Sequence, residues 1–140
     1  RRMANSVEVR PASEQELGPA LAAAGLAVLP AETLVYTLDG PFFFGAVENF
    51  ERALSASGVP RMLVFNLRWV PFVDITALQI FEDAIRGFRA RGVQVLVAGA
   101  NDRVQRKLAR AGVLDLLDSG QSFATLGEAL QRAAALGQGA

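Results

Sequence analysis

Between Val64 and Leu78 the chain reads VFNLRWVPFVDITAL, and here residue type and spacing come nearest to chemistry. An apolar strand runs into a turn, and Asp74 then stands where a helix opens. At that place a carboxylate accepts free backbone N–H groups and meets the positive end of the helix dipole. Its plainer role is an N-cap, worth about 1 kcal/mol. A hydroxyl one or two positions further on would make a phosphorylation switch, because a phosphate adds roughly −1.5 to −2 charges. Position 75 is Ile and position 76 is Thr, so Thr76 is the candidate acceptor. Trp69, Asp74, Ile75 and Thr76 together form the candidate interaction loop. A second candidate is the Gly99-Ala100-Asn101 turn, where the N-terminus of another helix could hold an anion or a nucleotide phosphate through backbone N–H groups. That feature is generic to strand–helix junctions.

Most other chemistry is excluded by what is missing. The 140 residues hold no Cys and no His. Disulfides, zinc–thiolate sites, Cys nucleophiles and the Ser-His-Asp triad therefore drop out, along with the usual near-neutral proton shuttle. There is no G-x-x-x-x-G-K-[ST] loop to cradle a nucleotide phosphate. Asp39 and Asp74 each follow a strand, as the acids of a phosphoaspartate site do. Such a site also needs an adjacent second acid and a Lys at a late strand end, whereas the sole Lys, Lys107, falls inside a helical segment. No metal and no cofactor are expected. Fourteen Lys plus Arg balance fourteen Asp plus Glu, so no global charge draws the chain onto nucleic acid. Arg103, Arg106, Lys107 and Arg110 share one helical face, chiefly a solvated one and secondarily a docking face for an acidic partner.

The elements that position these residues follow from periodicity. With 51% apolar and 20% charged residues the chain folds around a core, and its length suits one domain. Residues 1–32, broken by Pro11, Gly18, Pro19, Gly25 and Pro30, read as a linker with one short helix at the Ser13/Glu16 capping box. Residues 33–136 read as the folded domain, and 137–140 as a frayed tail. Thr33–Leu38 is a strand closed by Asp39-Gly40-Pro41, and Phe42 to Gly45 form a second short strand or lead into a helix. Phe43, Val47, Phe50 and Leu54 mark that helix, which Gly58 and Pro60 end. Met62–Leu67 is apolar almost throughout, as a strand covered on both faces must be. Asp74 then caps a helix carrying Leu78, Phe81, Ile85 and Phe88, closed by Gly92. Val93–Ala98 is a further strand, and Asn101 caps a helix with Val104, Leu108 and Ala111 inward that ends at Gly112. Val113–Leu117 reads as a short edge strand, and Thr125 with Glu128 opens a last helix bearing Leu126, Leu130 and Ala133. Strands alternating with helices imply crossovers and parallel pairing. The expected fold class is α/β: a mostly parallel or mixed sheet of four to five strands with four to five helices. The longest apolar run, Ala20–Ala31, has twelve residues and contains Gly25 and Pro30. A membrane span needs roughly 20.

Four stretches resemble the STAS domain family, whose members include bacterial anti-sigma-factor antagonists and the cytosolic tails of SulP-type (sulfate permease type) anion transporters. They are YTLDGPFFFG at 36–45, VPFVDIT at 70–76, GVQVLVAG at 92–99 and TLGEAL at 125–130, within a resemblance covering about residues 33–135. The likeness is greatest to the transporter branch, and the opening Arg1-Arg2-Met3-Ala4 is similar to the basic stretch after the last membrane span of those proteins. The resemblance implies a piece of a larger protein, without catalysis of its own, at the cytoplasmic face of the plasma (inner) membrane. Its implied partners are its own transporter membrane domain, the dimer mate and a cytosolic protein. One of Phe42, Phe43 and Phe44 is expected to face the membrane domain or a partner. The alternative is a free-standing antagonist-like signalling protein, but the Ser phosphorylated in that branch is replaced by Ile75. Ala77 stands where the family usually has Gly, and Asn66 and Trp69 depart from the Asp and small residue commonly found there. Trp69 either packs against the 1–32 segment or contacts a partner.

Overall fold

The computed structural model describes residues 8–40, 52, 59–118 and 120–138. Four strands line up in the order β1-β2-β3-β4: β1 (Glu8–Pro11), β2 (Thr33–Asp39), β3 (Met62–Trp69) and β4 (Gln94–Ala98). β2, β3 and β4 run parallel, with Thr33 opposite Met62 and Met62 opposite Gln94, while β1 pairs antiparallel to β2 with Glu8 opposite Asp39. The helices are α1 (Glu14–Ala24), α2 (Ile75–Ala90), α3 (Asp102–Arg110) and α4 (Leu126–Gln138). Among the described residues, the mixed α/β sheet with these four helices matches the expected class.

Side-chain alternation along the strands assigns each helix to a face. Leu63, Phe65 and Leu67 of β3 join Val95 and Val97 of β4 in a core closed by Leu78, Phe81, Ile85 and Phe88 of α2 and by Val104 and Leu108 of α3. Met62 and Val64 of β3, with Val35, Leu96 and Ala98, point the other way onto Ala20 and Ala24 of α1 and onto Ala129, Leu130 and Ala133 of α4. The central strands are apolar on successive residues because both faces are covered. α1 and α4 meet closely at Gly127, where an added Cβ would lie 3.2 Å from the Ala20 carbonyl oxygen.

Three expectations change. The segment read as a linker holds its expected helix, with both halves of the Ser13/Glu16 capping box formed, but it also contributes an edge strand and packs α1 over the sheet. Pro11, a strand breaker in sequence terms, is tolerated because β1 is an edge. Val113–Leu116 is a 3-10 turn and not a strand. Gly112, at φ 78°, turns the chain so that Val113 and Leu117 plug the core under α2 and α3, and the edge of β4 is met instead by Phe123, whose N–H donates to the Val97 carbonyl at 2.8 Å. Finally, α4 continues through Gly137 to Gln138, into the stretch expected to fray. The helix expected from Phe43, Val47 and Phe50 to Leu54, the Phe42–Phe44 run and the Arg1-Arg2 start lie outside the described residues.

Candidate functional site

The tip at the C-terminal end of the sheet is built by locking a short loop at both ends. Val70 and Val73 are buried and anchor it from below, while Pro71, Phe72, Asp74, Ile75 and Thr76 between and after them face solvent. Asp74 is the N-cap of α2: its Oδ1 accepts the Ala77 N–H at 2.7 Å, and its own carbonyl accepts the Leu78 N–H at 2.9 Å. The far end of α2 is closed by Gly92 in the left-handed region, with the Val93 N–H returning to the Phe88 carbonyl at 3.0 Å. Thr76 lies exposed in the first turn of α2.

Gly99 and Asn101 brace this tip from the side. Asn101 Oδ1 accepts the Val104 N–H at 2.8 Å as the cap of α3, and its Nδ2 donates to the carbonyls of Val70 and Pro71 at 3.4 and 3.2 Å. Both ends of the amide are engaged in holding the β4–α3 and β3–α2 loops together. Gly99, at φ 80°, permits the close approach: a Cβ there would sit 2.9 Å from Asn66 Oδ1 and 3.2 Å from the Arg68 backbone nitrogen. Gly99→Ala is therefore expected to destabilise the domain by about 2 kcal/mol, the left-handed conformation alone costing roughly 1–2. Urea unfolding checks it, and a loss below half that value would mean the β3 and β4 ends can part freely. The basic face of α3 is where the sequence put it, with Arg103, Arg106, Lys107 and Arg110 all exposed.

Glu16 is the member of the site that sequence reasoning missed as more than a capping residue. On the α1-facing side, β2 ends its apolar row with Thr37 and β3 ends its row with Asn66, adjacent across the ladder. The Glu16 carboxylate reaches over both. Its Oε1 accepts from Arg10 Nη1 at 2.8 Å, the Ser13 N–H at 2.9 Å and the Ser13 hydroxyl at 3.1 Å. Its Oε2 accepts from the Thr37 hydroxyl at 3.0 Å, Trp69 Nε1 at 3.3 Å and Asn66 Nδ2 at 3.5 Å. Burial pushes this carboxyl up, but the Arg10 hydrogen bond, the Ser13 N–H, the Thr37 hydroxyl and the Arg10 charge outweigh it and leave the pKa at about 2. The same bond raises Arg10. Trp69 thus touches the 1–32 segment through its indole N–H, while the Arg68 guanidinium lies 5.0 Å over its ring and nearly half its surface remains open. The only sequence signal for Glu16 was its spacing from Ser13.

Among the described residues no group of three Asp or Glu is placed to hold a metal, and no helix is long and apolar enough to cross a membrane. A two-faced α/β sheet whose β3 feeds an Asp-capped helix tip is the architecture of the STAS domain, and the STAS domain family model matches residues 27–129. The chain belongs to that family. Within it, the chain is 40% identical to the STAS domain of a SulP transporter from Vibrio cholerae, with a TM-score of 0.75 over 90% of this chain and 99% of that one. It is 30% identical over 100 residues, 71% of its own length, to the bicarbonate transporter BicA of Synechocystis, and it spans only 18% of that transporter. Two lower likenesses show the fold alone. One is the murine Slc26a9 anion transporter, at 15% identity and a TM-score of 0.66 over 99% of this chain and 23% of that one. The other is the anti-sigma factor antagonist SpoIIAA, at 21% identity and a TM-score of 0.59 over 76% of this chain and 91% of that one.

Proposed function

We propose that this chain is the non-catalytic regulatory and docking domain of a SulP-like anion transporter. In this reading it lies at the cytoplasmic face of the membrane, couples to its own membrane domain and dimer mate, and receives a cytosolic protein through the tip around Asp74. The observation that carries the reading is where apolar surface is left uncovered. Five large apolar residues are exposed among those described, and three of them, Trp69, Phe72 and Ile75, fall within seven consecutive positions on the tip. Ile75 is 81% exposed in a position locked by a cap and two buried valines, so apolar area is presented on a rigid mount. Rigid aromatic and aliphatic anchors of this kind dominate binding energy at protein interfaces. Thr76 beside them is the hydroxyl a kinase could reach, and a phosphate there would sit at the positive end of α2 while placing charge in the apolar patch.

Ile75→Asp in the full-length parent transporter tests the reading. Burying an Ile is worth about 1.5–3 kcal/mol, so the variant is expected to weaken tip docking about tenfold or more. Uptake of labelled sulfate and bicarbonate should fall while the amount of transporter in the membrane stays constant. Uptake equal to wild type for both anions overturns the assignment of the tip as the surface through which a docked cytosolic protein regulates transport.

A further inference from the structure

The two oxygens of Glu16 are divided between two parts of the molecule. Oε1 is taken up by Arg10 of β1 and by Ser13, the cap of α1, whereas Oε2 serves Thr37 of β2, Asn66 of β3 and Trp69 of the tip. We propose that Glu16 is the positioning residue of the tip, tying the orientation of Trp69 to the seating of β1 and α1 on the sheet. The proposal deepens the docking reading and rests on it for its functional meaning.

Distance, burial and charge together rank the ties. A carboxylate offers about four lone-pair sites, and six donors converge on this one. Arg10 holds at 2.8 Å, with the charge of both partners behind it. Asn66, at 3.5 Å, has a second acceptor in the Thr37 hydroxyl at 3.4 Å. Trp69 is bound at 3.3 Å with its ring partly in water, so its N–H is the arm most easily released. At the other end, β1 is a four-residue edge strand paired on one side only, and such elements open at lower free energy than the core. Glu8 lies opposite Asp39 and Asp39 opposite Trp69, so β1 begins at the same pole as the tip. Displacing β1 carries Arg10 off the carboxylate and loosens the indole. By reciprocity, a partner that turns Trp69 weakens the seating of β1.

Trp69 is the only Trp in the chain, so its emission reports the tie without a label. The 140-residue chain is compared with E16Q and R10Q. Gln keeps the size of Glu and its capping role toward Ser13 but removes the charge. E16Q is expected to shift the emission to longer wavelength and to raise acrylamide quenching by up to about twofold, the ceiling set by full exposure against the present 47%. R10Q should move both the same way to a smaller extent, with far-UV circular dichroism unchanged throughout. A purely structural Glu16 leaves the indole signals where they are, and that result overturns the proposal. Should E16Q fail to fold, hydrogen exchange of the single indole N–H in 15N-labelled wild type decides: protection supports the tie, and exchange at the free-indole rate refutes it. Trp69 moving in E16Q while Ile75→Asp leaves uptake untouched sinks the docking reading and keeps this one. An unmoved Trp69 with lowered uptake does the reverse.

Discussion

Replacing Phe65 by Ala should lower the free energy of unfolding by about 4 kcal/mol, within the roughly 3–5 kcal/mol span for buried Phe truncations. Phe65 is wholly buried in the middle of β3 and meets Phe81 of α2 edge to face, ring centroids 5.2 Å apart at 67°. Both partners of the pair therefore belong to the elements that carry the tip. The lost area is compounded by a cavity that the covered sheet cannot close, since helices press on both faces. Domains of this size are stable by about 5–15 kcal/mol, so the variant should keep only about 1–11 kcal/mol and unfold at markedly lower urea. The measurement is urea unfolding with an unchanged slope. The exposed Ile75→Asp should by contrast stay within about 0.5 kcal/mol of wild type. A Phe65→Ala loss under 1 kcal/mol would show that α2, and the tip with it, is not held by this pair.

Acid should remove on the order of 3 kcal/mol through Glu16 alone. Its carboxyl is lowered from 4.5 to about 2 in the folded chain, and each unit is worth about 1.36 kcal/mol. Because the folded value is the depressed one, the stabilisation is present in full above pH 4.5, declines as pH falls through the window, and is gone near pH 2. The physical cause is that protonation removes the anion from Arg10 and turns an acceptor toward Thr37 and Trp69 into a competing donor. Unfolding measured at pH 7, 4.5, 3 and 2.5 should show the decline in wild type and a flatter profile in E16Q. Parallel profiles for the two chains would remove Glu16 as the cause.

How far the site was legible depended on the range of the interaction. Asp74, Asn101 and Ser13 were readable as caps because a cap bonds to a backbone N–H only three residues away. The continuous apolar character of Met62–Leu67 likewise announced a strand covered on both faces. Val113–Leu117 misled because a short apolar run satisfies a strand and a core-plugging turn equally, and the choice was made by Gly112 and by Phe123 reaching the β4 edge first. β1 misled in the opposite sense, since four residues ending in Pro look like linker until an open edge of β2 is available to pair with.

By itself the order of residues determined the α/β class and the polarity of each capped helix, because periodicity and capping act over one or two turns. It also decided what the chemistry could not be, since a chain without Cys or His lacks those groups in any fold. The tertiary structure alone decided that α1 and α4 share a face, that Asn101 braces the tip, and that Glu16 meets Trp69 across 53 positions of sequence. A carboxylate that gathers donors from two strands, a cap and an indole has no local pattern to betray it. Its partners become neighbours only once the parallel ladder has brought Thr37 beside Asn66 and α1 has settled on top.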